Sequence, residues 1–367
     1  MSKIRVLVTD DSAFMRKVIS DILTSDSEIE VIDRAKNGLE CIEKCKELSP
    51  DVLTLDIEMP VMNGLDALEK LMQDAPLPVV MLSSLTREGA DATIQALELG
   101  AFDFVTKPSG PISLDIHKVG DRLIERVKAA ASARGRFRRK GITSAVKPVI
   151  SNPAAIPQAP RPVVPIVPTF ARSIGGTKSR LVVLGTSTGG PKALQTVLTQ
   201  LPADFPAPIA IVQHMPAGFT KSLAQRLDSL SQIRVTEVTH GEILEPGTAY
   251  IAPGGHHFEV HQVNGRLQAQ LHQQEPRGGH RPSVDVLFES VSRLTNVDKW
   301  AIIMTGMGND GTKGLKMMKE VGPVASLIED ESSCVVFGMP RAAIQAGLAD
   351  HIAPLEKIPE VLCKILH

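Results

Sequence analysis

The amino-acid sequence predicts an α/β protein made of two doubly wound, mostly parallel domains, the second carrying a β-hairpin. Three observations carry that prediction. Short apolar runs alternate with helix-spaced segments over residues 1–130 and again from Arg180 onward, the rhythm of successive βα units. Between them, residues 134–178 lose all periodicity and include the proline-rich tract PQAPRPVVPIVP, which suits an extended connector without a core. A chain of 367 residues is also too long for one ordinary core. The expected divisions are 1–133, a linker over 134–178, and 179–367.

Composition narrows the function classes. Hydrophobic residues make up 43% and charged residues 22%, and the formal net charge is −1, so nothing overall favours nucleic acid or an anionic membrane surface. The basic run RGRFRRK from Arg134 reads as a solvated helix end, because no recognition helix or RNA-binding module accompanies it. The opening MSKIRVLVTDD meets acidic residues too soon for a signal peptide, and no apolar run approaches bilayer-spanning length. Cys41, Cys45, Cys334 and Cys363 are scattered, which fits isolated thiols better than a zinc site. The expectation is a soluble, reduced, cytoplasmic protein with no direct membrane insertion.

In the first domain, strands are expected near Ile4–Val8, Glu30–Asp33, Val52–Leu55, Val79–Leu82 and Phe102–Val105, with helices over Ala13–Leu23, Leu39–Leu48, Leu65–Gln73, Ala90–Leu99 and Leu114–Ala130. Asp10 and Asp11 follow the first strand, Asp56 the third, Ser83 the fourth and Lys107 the fifth. Parallel strands bring their carboxyl ends to one edge, so three carboxylates should converge there. Clustered carboxylates repel unless a cation sits among them, and Mg²⁺ suits such oxygen donors. A lysine at that edge can neutralise a phosphoryl group and a hydroxyl can hydrogen-bond it. The competing reading, that Asp10 or Asp11 merely caps the helix beginning near Ser12, explains one position and not the set.

On Asp10–Asp11, Asp56, Ser83 and Lys107–Pro108, the domain resembles a two-component receiver. The resemblance implies a flavodoxin-like fold in which Asp56 accepts a phosphoryl group from a histidine kinase. It further implies that Asp11 and Asp56 hold Mg²⁺ with Asp10 close by and the backbone carbonyl of Glu58 as a further ligand, and that Ser83 and Lys107 sense the phosphoryl group.

The second domain opens on LVVLGTSTGG, an apolar strand at Leu181–Leu184 that breaks into a Gly-rich turn and enters a helix at Pro191. Ser187 stands at the turn's centre as G-x-S-x-G. Three readings compete for it: a nucleophile elbow, a phosphate cradle for a nucleotide, and a tight turn without chemistry. Further strands are expected at Ile209–Val212, Ala249–Ala252, Ala301–Met304 and Ala325–Leu327, helices at Phe219–Leu230, Ser283–Leu294 and from Thr312, and a hairpin of Phe258–Val263 and Arg266–Leu271 about Asn264–Gly265. His214 follows one apolar strand in QHMP, and Asp310 follows another in TGMGNDG. If those strands share one parallel sheet, Ser187, His214 and Asp310 meet at its carboxyl edge. The residue types suit nucleophilic catalysis: a serine hydroxyl needs a base, an imidazole supplies one near neutral pH, and a carboxylate fixes the tautomer. Taken singly, His214 reads as a core histidine and Asp310 as a helix cap; taken together with Ser187 they favour a triad. A rival set, His257, Glu259 and His261 with His256 alongside, shares one strand face and reads better as the solvent side of the hairpin than as a metal site.

GTSTGG, QHMP, APGGHH, RPSVD and TGMGNDG, behind a receiver, resemble in kind and order the chemotaxis protein-glutamate methylesterases of the CheB family. The resemblance implies Ser187 as nucleophile, His214 as base and Asp310 as orienting acid, with Thr188 and Met307 shaping the site. It implies hydrolysis of glutamate methyl esters, and deamidation of glutamines, on the cytoplasmic helices of chemoreceptors, under control of receiver phosphorylation and without a cofactor in the catalytic domain. The alternative is a non-catalytic response regulator whose second domain binds a nucleotide or a protein partner.

Overall fold

The computed structural model describes residues 3–107, 116–143 and 178–366. Its first sheet is formed by β1 (Ile4–Thr9), β2 (Ile29–Ala35), β3 (Val52–Asp56), β4 (Val79–Ser83) and β5 (Asp103–Thr106), in the order β2-β1-β3-β4-β5, with every pair parallel. The apolar runs VLTLD and VVMLS take central places and are buried throughout, as strands covered on both faces require. The helices are α1 (Ala13–Thr24), α2 (Gly38–Leu48), α3 (Gly64–Asp74), α4 (Arg87–Leu99) and α5 (Ile116–Thr143). Ser12, Asn37, Asn63 and Thr86 cap the first four through their side chains. Ser12, and neither Asp10 nor Asp11, thus caps α1. The last helix runs beyond Arg134 to Thr143, so the connector starts as a helix through the basic run; the proline-rich tract lies outside the described residues.

The second sheet has seven strands. They are β6 (Ser179–Thr186), β7 (Ile209–Gln213), β8 (Arg234–Glu237), β9 (Thr248–Ile251), then, past the separate antiparallel hairpin β10 (His257–Val263) and β11 (Arg266–His272), β12 (Val297–Ile303), β13 (Ala325–Glu329) and β14 (His351–Ala353). The order is β14-β13-β12-β6-β7-β9-β8, again with every pair parallel. Helices α6 (Gly190–Leu198), α7 (Phe219–Leu230), α8 (Val284–Ser292), α9 (Thr312–Val321), α10 (Met339–Gln345) and α11 (Ile358–Leu366) accompany them. Asn264 and Gly265 turn the hairpin with φ of 51° and 78°, as a two-residue I′ turn needs. One expectation on the hairpin is corrected. His257 is 1% exposed and its Nε2 pairs with the carbonyl of Glu275, so it faces the core while Glu259 and His261 lie further out.

The two sheets are joined by apolar packing. Helix α4 lies against α6 and α7, and the rings of Phe104 and Phe219 stack with centroids 4.8 Å apart. At the rim, Arg226 Nε and Nη2 donate to the carboxylate of Glu98 at 2.8 and 3.0 Å. An exposed pair of that kind contributes under about 1 kcal/mol, against about 1.5–3 kcal/mol for each large apolar side chain fully buried, so ring burial dominates this contact. No described helix is long and apolar enough to cross a membrane.

Candidate active site

Strand β6 lies between β12 and β7, so the loops leaving their carboxyl ends adjoin. The loop after β6 carries Ser187, the one after β7 carries His214, and the one after β12 carries Asp310. Close backbone approach explains the glycines. A Cβ on Gly190 would sit 1.9 Å from Gln213 Oε1, and one on Gly306 would sit 2.9 Å from the Cβ of Ser187. Ser187 N donates to the Thr305 carbonyl at 3.0 Å, and His214 N donates to the Thr186 carbonyl at 3.2 Å. Gln213 Nε2 donates to the Ser187 carbonyl at 3.0 Å. These bonds lock the elbow to both neighbouring loops.

His214 and Asp310 meet directly, Nε2 to Oδ2 at 2.8 Å. Asp310 Oδ2 also accepts from Val284 N, and its Oδ1 accepts from Ser283 Oγ, Asp285 N and Gly311 N. Asp310 therefore sits at the N-terminus of α8, while α9 is tied by Asp285, whose Oδ1 accepts from Gly311 N and Gly314 N. Burial opposes ionisation of Asp310. The His214 hydrogen bond, its charge and the backbone donors overcome that and bring its carboxyl down to about 2. An ionised carboxylate only accepts, so Nε2 of His214 carries the ring proton and Nδ1 carries the lone pair. Among the described residues Nδ1 is buried without a hydrogen-bond partner. Ser187 is 3% exposed, and among the described residues no hydrogen bond joins its hydroxyl to His214. The ring of His280 stacks on that of His214, centroids 3.8 Å apart and planes within 4°. Burial first, then the neighbouring His214, push His280 down to about 4. Sequence reasoning assigned no role to His280, Ser283 or Asp285; the only signal was that Ser283 and Asp285 lie within RPSVD and His280 immediately precedes it.

Thr188 and Met307 both touch the first domain. Thr188 Oγ1 donates to Asp103 Oδ2 at 2.6 Å. The same oxygen is 2.9 Å from Arg126 Nε, and Arg126 Nη1 lies 2.9 Å from Met307 Sδ. The first domain therefore lies against the Ser187 loops through Asp103 and Arg126.

In that domain, ligand oxygens of Asp10, Asp11 and Asp56 fall within 4.8 Å of one another. Lys107 Nζ lies 2.9 Å from Asp10 Oδ2 and 2.7 Å from Asp56 Oδ2. Burial, with Asp10 adding to it and Lys107 opposing it, pushes Asp56 up to about 6. Three converging carboxylates, with the Lys107 ammonium beside two of them, fit a hard divalent cation such as Mg²⁺. Glu58 follows in the loop after β3 with its side chain exposed. Ser83 is turned toward α4: it donates to the Gly89 carbonyl at 3.1 Å and accepts from Thr93 Oγ1 at 2.6 Å.

Comparison with known proteins gives a consistent result over the whole chain. A family model described as CheB methylesterase matches residues 182–362, and one described as response regulator receiver domain matches residues 6–117. The protein-glutamate methylesterase/protein-glutamine glutaminase of Halalkalibacterium halodurans is 53% identical over 363 residues, covering 99% of this chain and 98% of that protein. That of Bacillus subtilis is 50% identical over 355 residues, covering 97% of this chain and 96% of its own. The crystal structure of the Thermotoga maritima CheB methylesterase catalytic domain matches with a TM-score of 0.50 at 44% identity, over 52% of this chain and 100% of that one.

Proposed function

The chain belongs to the CheB methylesterase family with a receiver domain in front, and from that premise we propose that it hydrolyses glutamate methyl esters on chemoreceptor cytoplasmic helices, releasing methanol. Ser187 Oγ attacks the ester carbonyl while His214 Nδ1 takes its proton. Asp310 stabilises the imidazolium so formed. Backbone donors about Thr188 and Met307 hold the oxyanion, at about 3–4 kcal/mol per donor. The tetrahedral intermediate collapses, His214 returns the proton to the departing methoxide, and water, deprotonated by His214, then hydrolyses the acyl-serine to glutamate. With a glutamine side chain the same steps release ammonia. The observation that carries this reading is the 2.8 Å contact of His214 Nε2 with an ionised Asp310, which among the described residues leaves Nδ1 buried and unpartnered on a residue whose backbone N–H donates to the carbonyl of Thr186, next to Ser187.

Control belongs to the receiver, taken as residues 1–133 and joined by the linker 134–178 to the catalytic residues 179–367. Asp103 and Arg126, engaged with Thr188 and Met307, keep substrate from Ser187 in the unphosphorylated chain. Asp10, Asp11, Asp56 and the Glu58 carbonyl would hold Mg²⁺, which when bound neutralises charge on the phosphoryl group. A chemotaxis histidine kinase is the phosphodonor to Asp56, and Ser83 and Lys107 respond to the modification. The Ser83 hydroxyl is tied to α4, and α4 packs on α7, which offers a route from Asp56 to the domain contact. The setting is cytoplasmic, where receptor helices and kinase are found together.

Methanol release from methyl-labelled receptor membranes tests this, comparing wild type, Ser187→Ala and Asp56→Ala with and without a small phosphodonor. Release that needs Ser187, and rises with phosphodonor only when Asp56 is present, is the expected result. A fully active Ser187→Ala overturns the catalytic reading and leaves the second domain as a binding module.

A further inference from the structure

We infer that His280 is a positioning residue for the reaction proposed above: its ring, stacked flat on His214, holds the catalytic imidazole in the one orientation that spares Nδ1 for Ser187. This rests on the esterase reading for its catalytic meaning but on separate geometry for its structural one. The two rings lie 3.8 Å apart and within 4° of parallel. His280 stands at the end of a tight turn. Arg277 and His280 exchange N–H···O bonds, both of 3.0 Å, and Gly278 and Gly279 between them have φ of 58° and 83°. That is a two-residue turn of type I′, which glycine permits at both central positions. The turn is anchored at its base, because both Nη atoms of Arg277 donate to the Glu289 carboxylate at 2.8 and 2.7 Å. Three residues past His280, Ser283 Oγ and the N–H groups of Val284 and Asp285 hold Asp310. One short segment therefore sets both the carboxylate that grips one edge of His214 and the plate that covers its face.

The plate matters because the terminal torsion of a histidine is soft and roughly two-fold. A half-turn of the His214 ring puts Cε1 where Nε2 stood and Cδ2 where Nδ1 stood, so both the Asp310 bond and the lone pair meant for Ser187 are lost. The Asp310 bond alone resists this through a single edge contact. A parallel ring at 3.8 Å adds resistance over the whole turn, since rotating the plane drives a ring edge into His280. His280 remains uncharged at working pH because burial and His214 hold it down to about 4. It can therefore lie against the imidazolium formed during catalysis without adding a like charge. A flat apolar ring should serve equally well.

The experiment compares full-length wild type, His280→Ala, His280→Ser and His280→Phe. Two readouts are taken: kcat and KM for methanol release, and the ¹⁵N shifts of the His214 ring, assigned by its loss in His214→Gln. Thermal unfolding shows which ring-less variant is folded, and that one carries the comparison. Without the ring, kcat should fall between about 10- and 100-fold with KM little changed, as expected for a misaligned catalytic group. The His214 shifts should move from a fixed Nε2–H tautomer toward an average of two. His280→Phe should restore the fixed tautomer and kcat to within about threefold of wild type. The inference is overturned if a folded ring-less variant keeps both the fixed tautomer and wild-type kcat, or if His280→Phe falls as far as it does. Absence of methanol release from every protein, with the tautomer contrast intact, would refute the esterase reading and sustain the positioning role.

Discussion

Asp310 and Asp56 are both buried carboxylates at a sheet's carboxyl edge, yet their ionisation is shifted in opposite directions. Asp310 is surrounded by donors and falls to about 2; Asp56, pushed by burial first and by Asp10 beside it, rises to about 6. The stability consequences have opposite signs. The lowered Asp310 contributes stability that is present above the ordinary carboxylate value and is lost as pH falls through that value toward about 2. Replacing it by Asn should therefore lower the urea midpoint at pH 7, with a difference from wild type that narrows at pH 3. In catalysis, Asn at this position no longer fixes the Nε2–H tautomer or stabilises the imidazolium, so kcat should drop by on the order of 10³–10⁴-fold with little change in KM. The raised Asp56 behaves oppositely. Its stabilising share is complete below its ordinary value and is lost as pH rises through about 6. Asp56→Asn should accordingly raise the unfolding free energy of the metal-free protein at pH 8, by about 3 kcal/mol at most and with it the urea midpoint, and not at pH 4. Equal midpoints at pH 8 would show that Lys107 already compensates the charge.

At the scale of elements, the proposed control makes access to Ser187 depend on the contact between β5, α5 and the loops of the second sheet. Asp103 accepts from Thr188 and from Arg126 through one oxygen, and Phe104 beside it stacks on Phe219. Charge-assisted hydrogen bonds of this kind are worth about 1.5–3 kcal/mol. Asp103→Ala should thus raise methanol release by the unphosphorylated chain about tenfold or more, and Phe104→Ala should act in the same direction, in a steady-state assay without phosphodonor. A basal rate unchanged in both would show that this contact does not limit access. The elements that make the interface were legible in the sequence because long apolar runs and helical spacing are local signals. Strands β8 and β14 were not, since RVTE and HIA are too short and too exposed to show a period. His257 was misread for a related reason: alternation sets it with Glu259 and His261, but the chain near Glu275 covers that end of the hairpin. The convergence of Asp10, Asp11 and Asp56, and of His214 with Asp310, followed from residues ending parallel strands. The engagement of Asp103 with Thr188 links positions 85 apart in sequence across two sheets, and no local pattern announces it.

For the molecule as a whole, the proposed control implies a balance between covered and open states set by how weak the domain contact is relative to the tether. Two domains on one chain meet at a raised effective concentration, so on the proposed control even a contact of modest strength would keep the cleft covered. Phosphorylation therefore need not break a strong interface; a loss of about 1.4 kcal/mol moves the ratio of open to covered chains tenfold. The coupling on offer is mechanical and continuous. Ser83 is hydrogen-bonded to Thr93 of α4, and α4 packs on α7 beside the Arg226–Glu98 pair. If the Ser83 hydroxyl turned toward a phosphoryl group on Asp56, α4 would lose a buried partner and its fit to α7 would loosen. The expected outcome is joint. Phosphodonor with Mg²⁺ should increase both methanol release and amide hydrogen exchange along α4 and α7, and Ser83→Ala should blunt both increases. Chelation of Mg²⁺ should abolish the increases while leaving the basal rate as it was, because among the described residues the carboxylates that converge as a cation site would need are Asp10, Asp11 and Asp56, in the first domain and not among the Ser187 loops. A rise in methanol release with no change in exchange on either helix would separate activation from domain opening. Control would then have to act through Asp103 and Arg126 alone, which reach Thr188 and Met307 without passing through α4.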